Sequence, residues 1–493
     1  MDGAGNEVVA HAPPAAETAR TSGQYAAPVA TGDVVDGFLV EERLHQGGMA
    51  SLWRVTHPDH PLPMLMKVPR THSGEEPSAI VGFEVEMMIL PRLSGPHVPR
   101  FIARGDYTRR PYIVMEQIPG PTLRERLDAA PLPIDEVARL GARIATALHD
   151  LHRQHVVHLD VKPSNILMRD SGEAVLVDFG LSHHDQLPDL LDEEFVLPLG
   201  TAPYMSPEQV QHQRHEPRSD LFSLGVLLYH FTTGARPFGN PSTLRGLRRR
   251  LYTAPVPPRA LRPDCPPWLQ ETILRCLEVH AAERHLTGAQ LAFDLLHPES
   301  VTLTERAHRI DTPGFLARMR RWLHAAGADP QAPATVQAQV VRSPIVLLAL
   351  DPGGTGALRD ALRESVLRLM QTRPGARLAC VSVLKTNYIG MDQLLDEQGR
   401  SLHLRRLIEL KQWAHELRQS LDAAQDDARV TCHVLEAPDV AAALLDYAQR
   451  NQVDHIVMGA RGSPSLLRVL GSVSAQVATS AECTVTVVRT PQR

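Results

Sequence analysis

The chain has 493 residues, enough for two or three domains that each bury a core. Its 51 Lys and Arg residues nearly balance its 56 Asp and Glu residues, which argues against a nucleic-acid-binding protein or one held on an anionic membrane. Five cysteines without paired spacing indicate neither a zinc site nor a disulfide framework, and this suits a reducing cytosol. We see no signal peptide and no apolar run long enough to span a bilayer, so we expect a cytoplasmic protein.

Strand patterns precede helix patterns in the first half of the chain. Residues 1–33 are rich in Ala, Pro, Gly and Thr without periodicity, which predicts a disordered tail. Further on, short apolar runs predict strands and apolar residues at helical spacing predict helices. The predicted strands lie within 38–55, 61–69 and 111–118, and the predicted helices are 80–93, Ile134–His152 and 221–232. This order predicts a small β lobe joined to a larger α lobe.

Residues 299–342 are predicted to be a helical connector and linker. One helical face carries five apolar side chains, namely Phe315, Leu316, Met319, Trp322 and Leu323. We interpret this segment as a helix docked on a neighbouring domain, with a membrane-surface helix as the alternative. Residues 327–342 are rich in Ala, Pro and Gln, which is typical of a flexible linker.

From residue 343 onward, strand and helix patterns alternate. The predicted strands are 345–350, 378–384, 430–436, 455–458 and 483–488, and the predicted helices are 357–370, 402–425, 440–451 and 473–480. Such alternation predicts an α/β unit in which a parallel sheet carries helices on both faces.

Three motifs follow one another in the first half of the chain. They are residues 158–165 (HLDVKPSN), Asp178-Phe179-Gly180 and residues 200–208 (GTAPYMSPE). Each has a separate task in phosphoryl transfer, and chance would hardly supply all three in order at workable spacing. Residues 36–298 therefore resemble the bacterial Ser/Thr protein kinases of the eukaryotic type. The resemblance implies a bilobal α+β fold and transfer of a phosphoryl group from ATP to protein hydroxyls.

The resemblance also implies which residues handle the phosphates. Lys67 follows a predicted strand and would hold the α- and β-phosphates of ATP, paired with a glutamate of the next helix. Glu86 fits this partner best, and Glu84 is the alternative. Asp160 would accept the proton of the substrate hydroxyl, and Lys162 would steady the transferred phosphoryl group.

The metal and adenine contacts follow from the same resemblance. Asn165 and Asp178 would hold Mg²⁺, because oxygen ligands suit a hard cation. Met115 stands at the gatekeeper position, and Glu116 to Ile118 would form the hinge whose backbone reads the adenine edge. Three more residues match positions that are structural in this family, namely Glu208, Arg284 and Asp220.

The predicted Gly-rich loop departs from the kinase pattern. His45 and Ala50 stand where the family has its first and third glycines, while Gly47 and the following Gly48 remain. Glycine at these places lets backbone N–H groups approach the phosphates closely. We therefore expect a weaker grip on the nucleotide, with no catalytic group lost.

The residue before the predicted catalytic base is a second departure. Leu159 replaces an Arg that in many kinases binds a phosphate on the activation loop. In this chain the loop 181–200 carries one hydroxyl, Ser182, directly after the Asp-Phe-Gly motif. The missing arginine and the missing acceptor agree, so we expect activity that does not depend on activation-loop phosphorylation.

A second phosphate-binding pattern lies near the end of the chain. Gly459 ends a predicted strand, Gly462 follows it, and Gly471 and Ser472 open a predicted helix. A glycine-containing loop that feeds a helix N-terminus binds phosphate through unpaired N–H groups and the helix dipole.

Residues 343–490 resemble the universal stress protein family. Its ATP-binding branch has an acidic residue after the first strand, which Asp351 matches, and an adenine contact that Val383 matches. The resemblance thus implies a second ATP site. The alternative is a nucleotide-free domain that mediates homodimer formation.

The sequence as a whole predicts a cytoplasmic bacterial Ser/Thr protein kinase with a C-terminal stress-type domain. ATP and Mg²⁺ would be its cofactors, and proteins with Ser or Thr hydroxyls its substrates. We expect neither a nucleic-acid partner nor a membrane span. One alternative is a pseudokinase scaffold or nucleotide sensor, which the altered Gly-rich loop favours and the retained catalytic residues disfavour. Another is a small-molecule phosphotransferase, which the 200–208 segment disfavours.

Overall fold

The computed structural model describes most of both predicted domains. The described residues are 29–47, 50–69, 77–105, 110–311, 344–351, 354–373, 375–386, 401–421, 429–460 and 472–489. The predicted connector helix around Phe315 to Leu323 and nearly all of the predicted N-terminal tail lie outside the described residues.

The first lobe is an antiparallel sheet with one helix packed on it. Its six strands have the spatial order β1-β2-β3-β4-β6-β5. They are β1 (Val34–Val35), β2 (Phe38–Gln46), β3 (Ala50–His57), β4 (His60–Pro69), β5 (Phe101–Arg104) and β6 (Ile113–Glu116). Helix α1 (Pro77–Ile89) joins β4 to the rest of the sheet and is buried along its length from Ala79 to Ile89. The register pairs Lys67 of β4 with Leu52 on one side and Ile113 on the other.

The second lobe is mainly helical. Its helices are α2 (Arg124–Asp128), α3 (Ile134–His152), α4 (Leu190–Glu194), α5 (Pro207–Val210), α6 (Arg218–Thr233), α7 (Leu244–Arg248), α8 (Pro258–Leu261), α9 (Pro267–Cys276), α10 (Gly288–Leu296) and α11 (Glu305–His308). Two short antiparallel pairs hold the functional loops: β7 (Val156–Val157) with β10 (His183–His184), and β8 (Ile166–Met168) with β9 (Ala174–Leu176). Helix α3 begins after Pro133 and ends at His152, and its apolar positions at helical spacing pack on α6 and α10.

The C-terminal unit is a five-stranded parallel sheet between helices. Its elements are β11 (Ile345–Ala349), α12 (Gly356–Gln371), β12 (Arg377–Lys385), α13 (Leu402–Ser420), β13 (Val430–Ala437), α14 (Val440–Arg450), β14 (His455–Gly459), α15 (Ser472–Ser480) and β15 (Thr484–Val488). The spatial strand order is β13-β12-β11-β14-β15, and every neighbouring pair is parallel. The predicted fold class, a bilobal α+β unit followed by an α/β parallel-sheet unit, is confirmed.

The two units share a continuous apolar core. One cluster of buried side chains includes Leu190 and Leu191 of α4, much of α1, and Leu404, Leu407 and Leu410 of α13. The C-terminal unit therefore packs directly against α1 and α4. Over the part of the chain that the structure describes, no helix is both long and apolar enough to cross a membrane.

Candidate active site and second cavity

A buried lysine links the two lobes of the first unit. Lys67 Nζ on β4 lies 2.5 Å from Glu86 Oε2 on α1 and 2.8 Å from Asp178 Oδ1 after β9. Burial lowers the pKa of Lys67, but the two carboxylates outweigh this effect and raise it overall. The charge of Lys67 in turn lowers the pKa of Asp178 to about 2. Lys67 and Asp178 are therefore both ionised at neutral pH, whereas burial raises the pKa of Glu86.

The structure also distinguishes the two candidate glutamates of α1. Glu86 contacts Lys67, whereas Glu84 forms an ion pair with Lys411 of the C-terminal unit. Helix α1 approaches the Asp-Phe-Gly segment closely because it has a glycine at the contact. A Cβ atom added at Gly82 would lie 2.9 Å from the carbonyl oxygen of Gly180. A larger residue at this position would push α1, and with it Glu86, away from Lys67.

Three donors surround the carboxylate of the predicted base, Asp160. Thr201 donates its hydroxyl to Asp160 Oδ1 at 2.7 Å, and Lys162 Nζ lies 2.6 Å from Oδ2. The Asn165 amide also donates to Oδ2, at 3.1 Å. Lys162 donates to the Thr201 hydroxyl as well, at 3.1 Å, so the catalytic loop and the 200–208 segment meet at this carboxylate.

A fully buried aspartate supports this loop from below. Asp220 of α6 accepts hydrogen bonds from the backbone N–H groups of His158 and Leu159, both at 2.8 Å, and lies 2.9 Å from His152 Nε2. Leu159 has a φ of 61°, which is unusual for a residue with a side chain. Its carbonyl accepts from the Gln209 side chain at 2.7 Å, so both of its backbone groups are held. The Leu159 side chain is 2% exposed and fills the core.

The predicted hinge begins at the end of β6. Met115 pairs with Leu65 of β4, and Glu116 makes a double ion pair with Arg169 at 2.5 and 2.9 Å. The hydrogen bond from Arg169 lowers the pKa of Glu116. Ile118 follows as a buried residue. In the Gly-rich turn, Gly47 donates its N–H to the Ala50 carbonyl at 3.0 Å, and Gly48 lies outside the described residues.

A cavity of about 270 Å³ brings most of the predicted catalytic residues together. Lys67, Glu86, Asp160, Lys162 and Asp178 line it, as do residues of the 198–201 segment. The described residues contain no group of three or more His, Cys, Asp or Glu side chains that could hold a metal ion by themselves. The oxygens of Asn165 and Asp178 are nevertheless suited to Mg²⁺, which takes one or two protein ligands together with water and phosphate oxygens.

The activation segment is held by internal contacts. Ser182 is 2% exposed and donates its hydroxyl to the carbonyl of His158 at 3.1 Å. Asp189 accepts from Arg214 at 2.7 Å and lies 3.0 Å from His183 Nδ1. Although burial raises the pKa of Asp189, Arg214 and His183 hold it well below its usual range. Asp189, a carboxylate of the activation segment itself, is therefore the partner of an arginine, Arg214.

The C-terminal unit has a cavity of its own, of about 490 Å³. Asp351, Val383, Gly459 and Ser472 all line it, at the carboxyl ends of β11, β12 and β14 and the start of α15. Gly462 and Gly471 lie outside the described residues. The basic side chain of Arg406 also lines this cavity, and its Nη1 lies 3.4 Å from Asp351 Oδ1.

Comparison with protein families finds a match for each of the two units. A protein kinase domain model matches residues 38–293 and a universal stress protein family model matches residues 344–489. The chain belongs to the protein kinase family. Its C-terminal part is a universal stress protein domain, which we call the Usp domain.

Curated relatives are bacterial kinases. The chain is 31% identical over 310 residues to serine/threonine-protein kinase PknL of Mycobacterium tuberculosis, covering 62% of this chain and 75% of PknL. It is 30% identical over 366 residues to serine/threonine-protein kinase pkn3 of Myxococcus xanthus, covering 69% of this chain and 66% of pkn3. Among solved structures, the kinase domain of M. tuberculosis PknI is 24% identical, with a TM-score of 0.43, covering 56% of this chain and all of that domain.

Three residues near these sites were not predicted from the sequence. Thr201 belongs to the quoted GTAPYMSPE segment, and that motif was the available signal; the structure adds its contact with Asp160. Arg169 and Arg406 lie 53 and 55 residues from their acidic partners, Glu116 and Asp351. No local pattern marks contacts at such separations.

Replacing Asp220 with alanine should weaken both stability and catalysis. The change leaves two buried N–H groups unpaired, and each costs about 1–3 kcal/mol. We expect the free energy of unfolding to fall by at least about 2 kcal/mol, and turnover to fall because Asp160 loses its alignment. Denaturant unfolding and phosphate-transfer assays measure the two effects. The exposed Asp264→Ala is the control, and an Asp220→Ala variant that behaves like it would contradict this role.

Proposed function

We propose that this serine/threonine-protein kinase transfers the γ-phosphoryl group of ATP to hydroxyl groups of protein substrates in the cavity around Asp160. One observation carries the proposal. A buried carboxylate is oriented by Thr201, Lys162 and Asn165 in the same cavity as an ionised Lys67 and Asp178. A scaffold that only bound nucleotide would not need an oriented base.

Each residue has a chemical task in this proposal. Asp160 accepts the proton as the substrate oxygen attacks the γ-phosphorus, and the bond from phosphorus to the β,γ-bridging oxygen breaks. Lys162 donates to the oxygens of the transferred group. Lys67, held by Glu86, binds the α- and β-phosphates. The hinge from Glu116 to Ile118 binds adenine.

The chemistry of the ligands supports Mg²⁺ as the metal. Asp178 stays ionised and Asn165 has an amide oxygen, so the two supply hard donors from separate loops. Bound Mg²⁺ neutralises negative charge on the β- and γ-phosphates. The protein contributes the positions of these oxygens and of Lys67.

We extend the proposal to the whole chain. The kinase domain is placed at 36–298, the connector at 299–342 and the Usp domain at 343–490, after a tail of 33 residues. The Usp domain is proposed to bind ATP in its own cavity and to connect the kinase with stress signalling. A cytoplasmic location is part of the proposal. It is supported by the five cysteines, which all lie within the described residues and are all free thiols, as expected in a reducing compartment.

The catalytic assignment is tested by two conservative substitutions. Asp160→Asn removes the base and Asp178→Asn removes a metal ligand, while both preserve shape. We expect turnover to fall by about two to four orders of magnitude, with the thermal unfolding midpoint little changed. Transfer of radiolabelled phosphate to a generic protein substrate measures this. Near wild-type transfer by either variant would refute the assignment, and an inactive wild type would favour the pseudokinase alternative.

Activation-loop phosphorylation should be dispensable. Ser182 is buried against the backbone and Leu159 offers no phosphate pocket, so phosphatase-treated enzyme should be as active as untreated enzyme. Ser182→Ala should retain activity within about fivefold, since one buried hydrogen bond contributes roughly 1 kcal/mol. Thr201→Val should be strongly impaired because it removes a donor to Asp160. A large loss on dephosphorylation, mapped to Ser182 or Thr201, would contradict this reading.

Nucleotide binding by the Usp domain is tested by calorimetry. Asp351→Ala combined with Gly471→Val should remove one class of ATP sites, and Lys67→Ala should remove the other. A single class that survives the first change and disappears with the second would make the Usp domain an assembly module. Sedimentation of wild type and of the Asp351 variant would then test the homodimer.

A further inference from the structure

The Usp domain contacts the kinase domain at the two elements that align its active site. These are α1, which carries Glu86, and α4, which lies within the activation segment. Both contribute to the apolar core that continues into α13 of the Usp domain. The interface is therefore formed by α1 and the activation segment on the kinase side, and by helix and sheet elements of the Usp domain on the other.

Helix α1 is held from opposite sides by two ion pairs. Lys411 of α13 pairs with Glu84, and each residue is only 6% exposed. Glu84 and Glu86 are two positions apart, which places them about 200° apart around the helix axis. Lys67 therefore holds one side of α1 through Glu86, while Lys411 holds the other side through Glu84.

The activation segment is held by a second set of contacts. Glu193 of α4 forms an ion pair with Arg377 of β12 at 2.8 Å and accepts from the Tyr447 hydroxyl at 2.9 Å. Glu194 forms a hydrogen bond with His433 Nδ1 of β13 at 2.8 Å. Because three elements of the Usp domain contribute, α4 cannot shift without losing several buried polar contacts.

The charges across the interface are complementary. The kinase side presents Glu84, Glu193 and Glu194, and the Usp side presents Lys411, Arg377 and His433. Burial lowers the pKa of His433, but its hydrogen bond with Glu194 and the charge of Glu193 raise it overall, while burial raises the pKa of Glu194. Leaving any one carboxylate unpaired in this buried interface is strongly unfavourable.

The geometry points to a positioning role for these Usp residues. We propose that Lys411, Arg377 and His433 hold α1 and the activation segment in the aligned arrangement, in place of the arginine–phosphate contact that the Leu159 position cannot make. This inference rests on the proposed kinase function. It assigns the Usp domain a direct part in phosphoryl transfer, separate from any nucleotide that it binds.

The experiment compares full-length variants of the two contact sets. Lys411→Ala and Glu84→Ala should each lower kcat at least tenfold, and the double variant should be no worse than either single one, because one pair is lost in all three. Lys411→Arg should restore most of the activity. Arg377→Ala should lower kcat similarly by releasing α4. Arg405→Ala, an exposed residue of α13 that pairs with Glu409 of the same helix, is the matched control.

Hydrogen exchange separates positioning from general destabilisation. In the Lys411 and Arg377 variants, peptides covering α1 and α4 should exchange faster, while peptides from α6 and from β11 and β14 keep wild-type protection. If these core peptides also lose protection, the milder Lys411→Met replaces the alanine change. Full kcat with unchanged protection of α1 would overturn the proposal, and so would a rise in kcat, since the domain would then restrain the kinase.

Failure of the proposed function has a different signature. If wild type transfers no more phosphate than Asp160→Asn, the kinase proposal fails on that result alone. The exchange measurement then still shows whether Lys411 and Arg377 hold α1 and α4. Faster exchange in both variants would support positioning of a non-catalytic site, and unchanged exchange would overturn positioning as well.

Discussion

The ion pairs of Lys67 govern the geometry of this active site. One buried ammonium group joins a sheet strand, helix α1 and the Asp-Phe-Gly segment through contacts of 2.5 and 2.8 Å. A buried charge is tolerated only with partners, so the fold must bring two carboxylates to the same point. Everything that moves α1 therefore acts on the phosphate-binding lysine. The close approach of Gly82 to Gly180 and the pair formed by Lys411 and Glu84 both act in this way.

The catalytic loop shows how a departure from the family pattern is accommodated. Leu159 and Asp178 both adopt positive φ angles, of 61° and 68°, which side chains disfavour. Contacts with Asp220 and Gln209 offset this strain at Leu159, and the ion pair with Lys67 does so at Asp178. Since the position before Asp160 is held by its backbone, its side chain is free to be an apolar core residue. The phosphate-binding arginine can thus be absent while the loop keeps its shape.

The sequence revealed the domains and motifs because those signals are local. The kinase motifs, the Ile134–His152 helix and the alternating C-terminal elements all follow from short-range patterns. Local patterns ranked Glu86 above Glu84 but could not exclude Glu84, since α1 is buried on every side and has no polar face to set its orientation. Lys411 lies 327 residues from Glu84 and Arg377 lies 184 residues from Glu193, so only the fold reveals those pairs.

The same elements of the Usp domain reach both its cavity and the kinase. Helix α13 carries Arg406, beside Asp351 in the cavity, and Lys411, which contacts α1 about 7.5 Å further along the helix axis. Strand β12 likewise has Arg377 at the kinase interface and Val383 in the cavity.

A ligand that reorients Arg406 would therefore act on the helix that fixes the position of Glu86. Coupling through such a rigid element is a free energy shared by the two sites, and it must be reciprocal. If a nucleotide in the Usp cavity tightens ATP binding at the kinase site by a given factor, ATP at the kinase site must tighten nucleotide binding in the Usp cavity by that same factor.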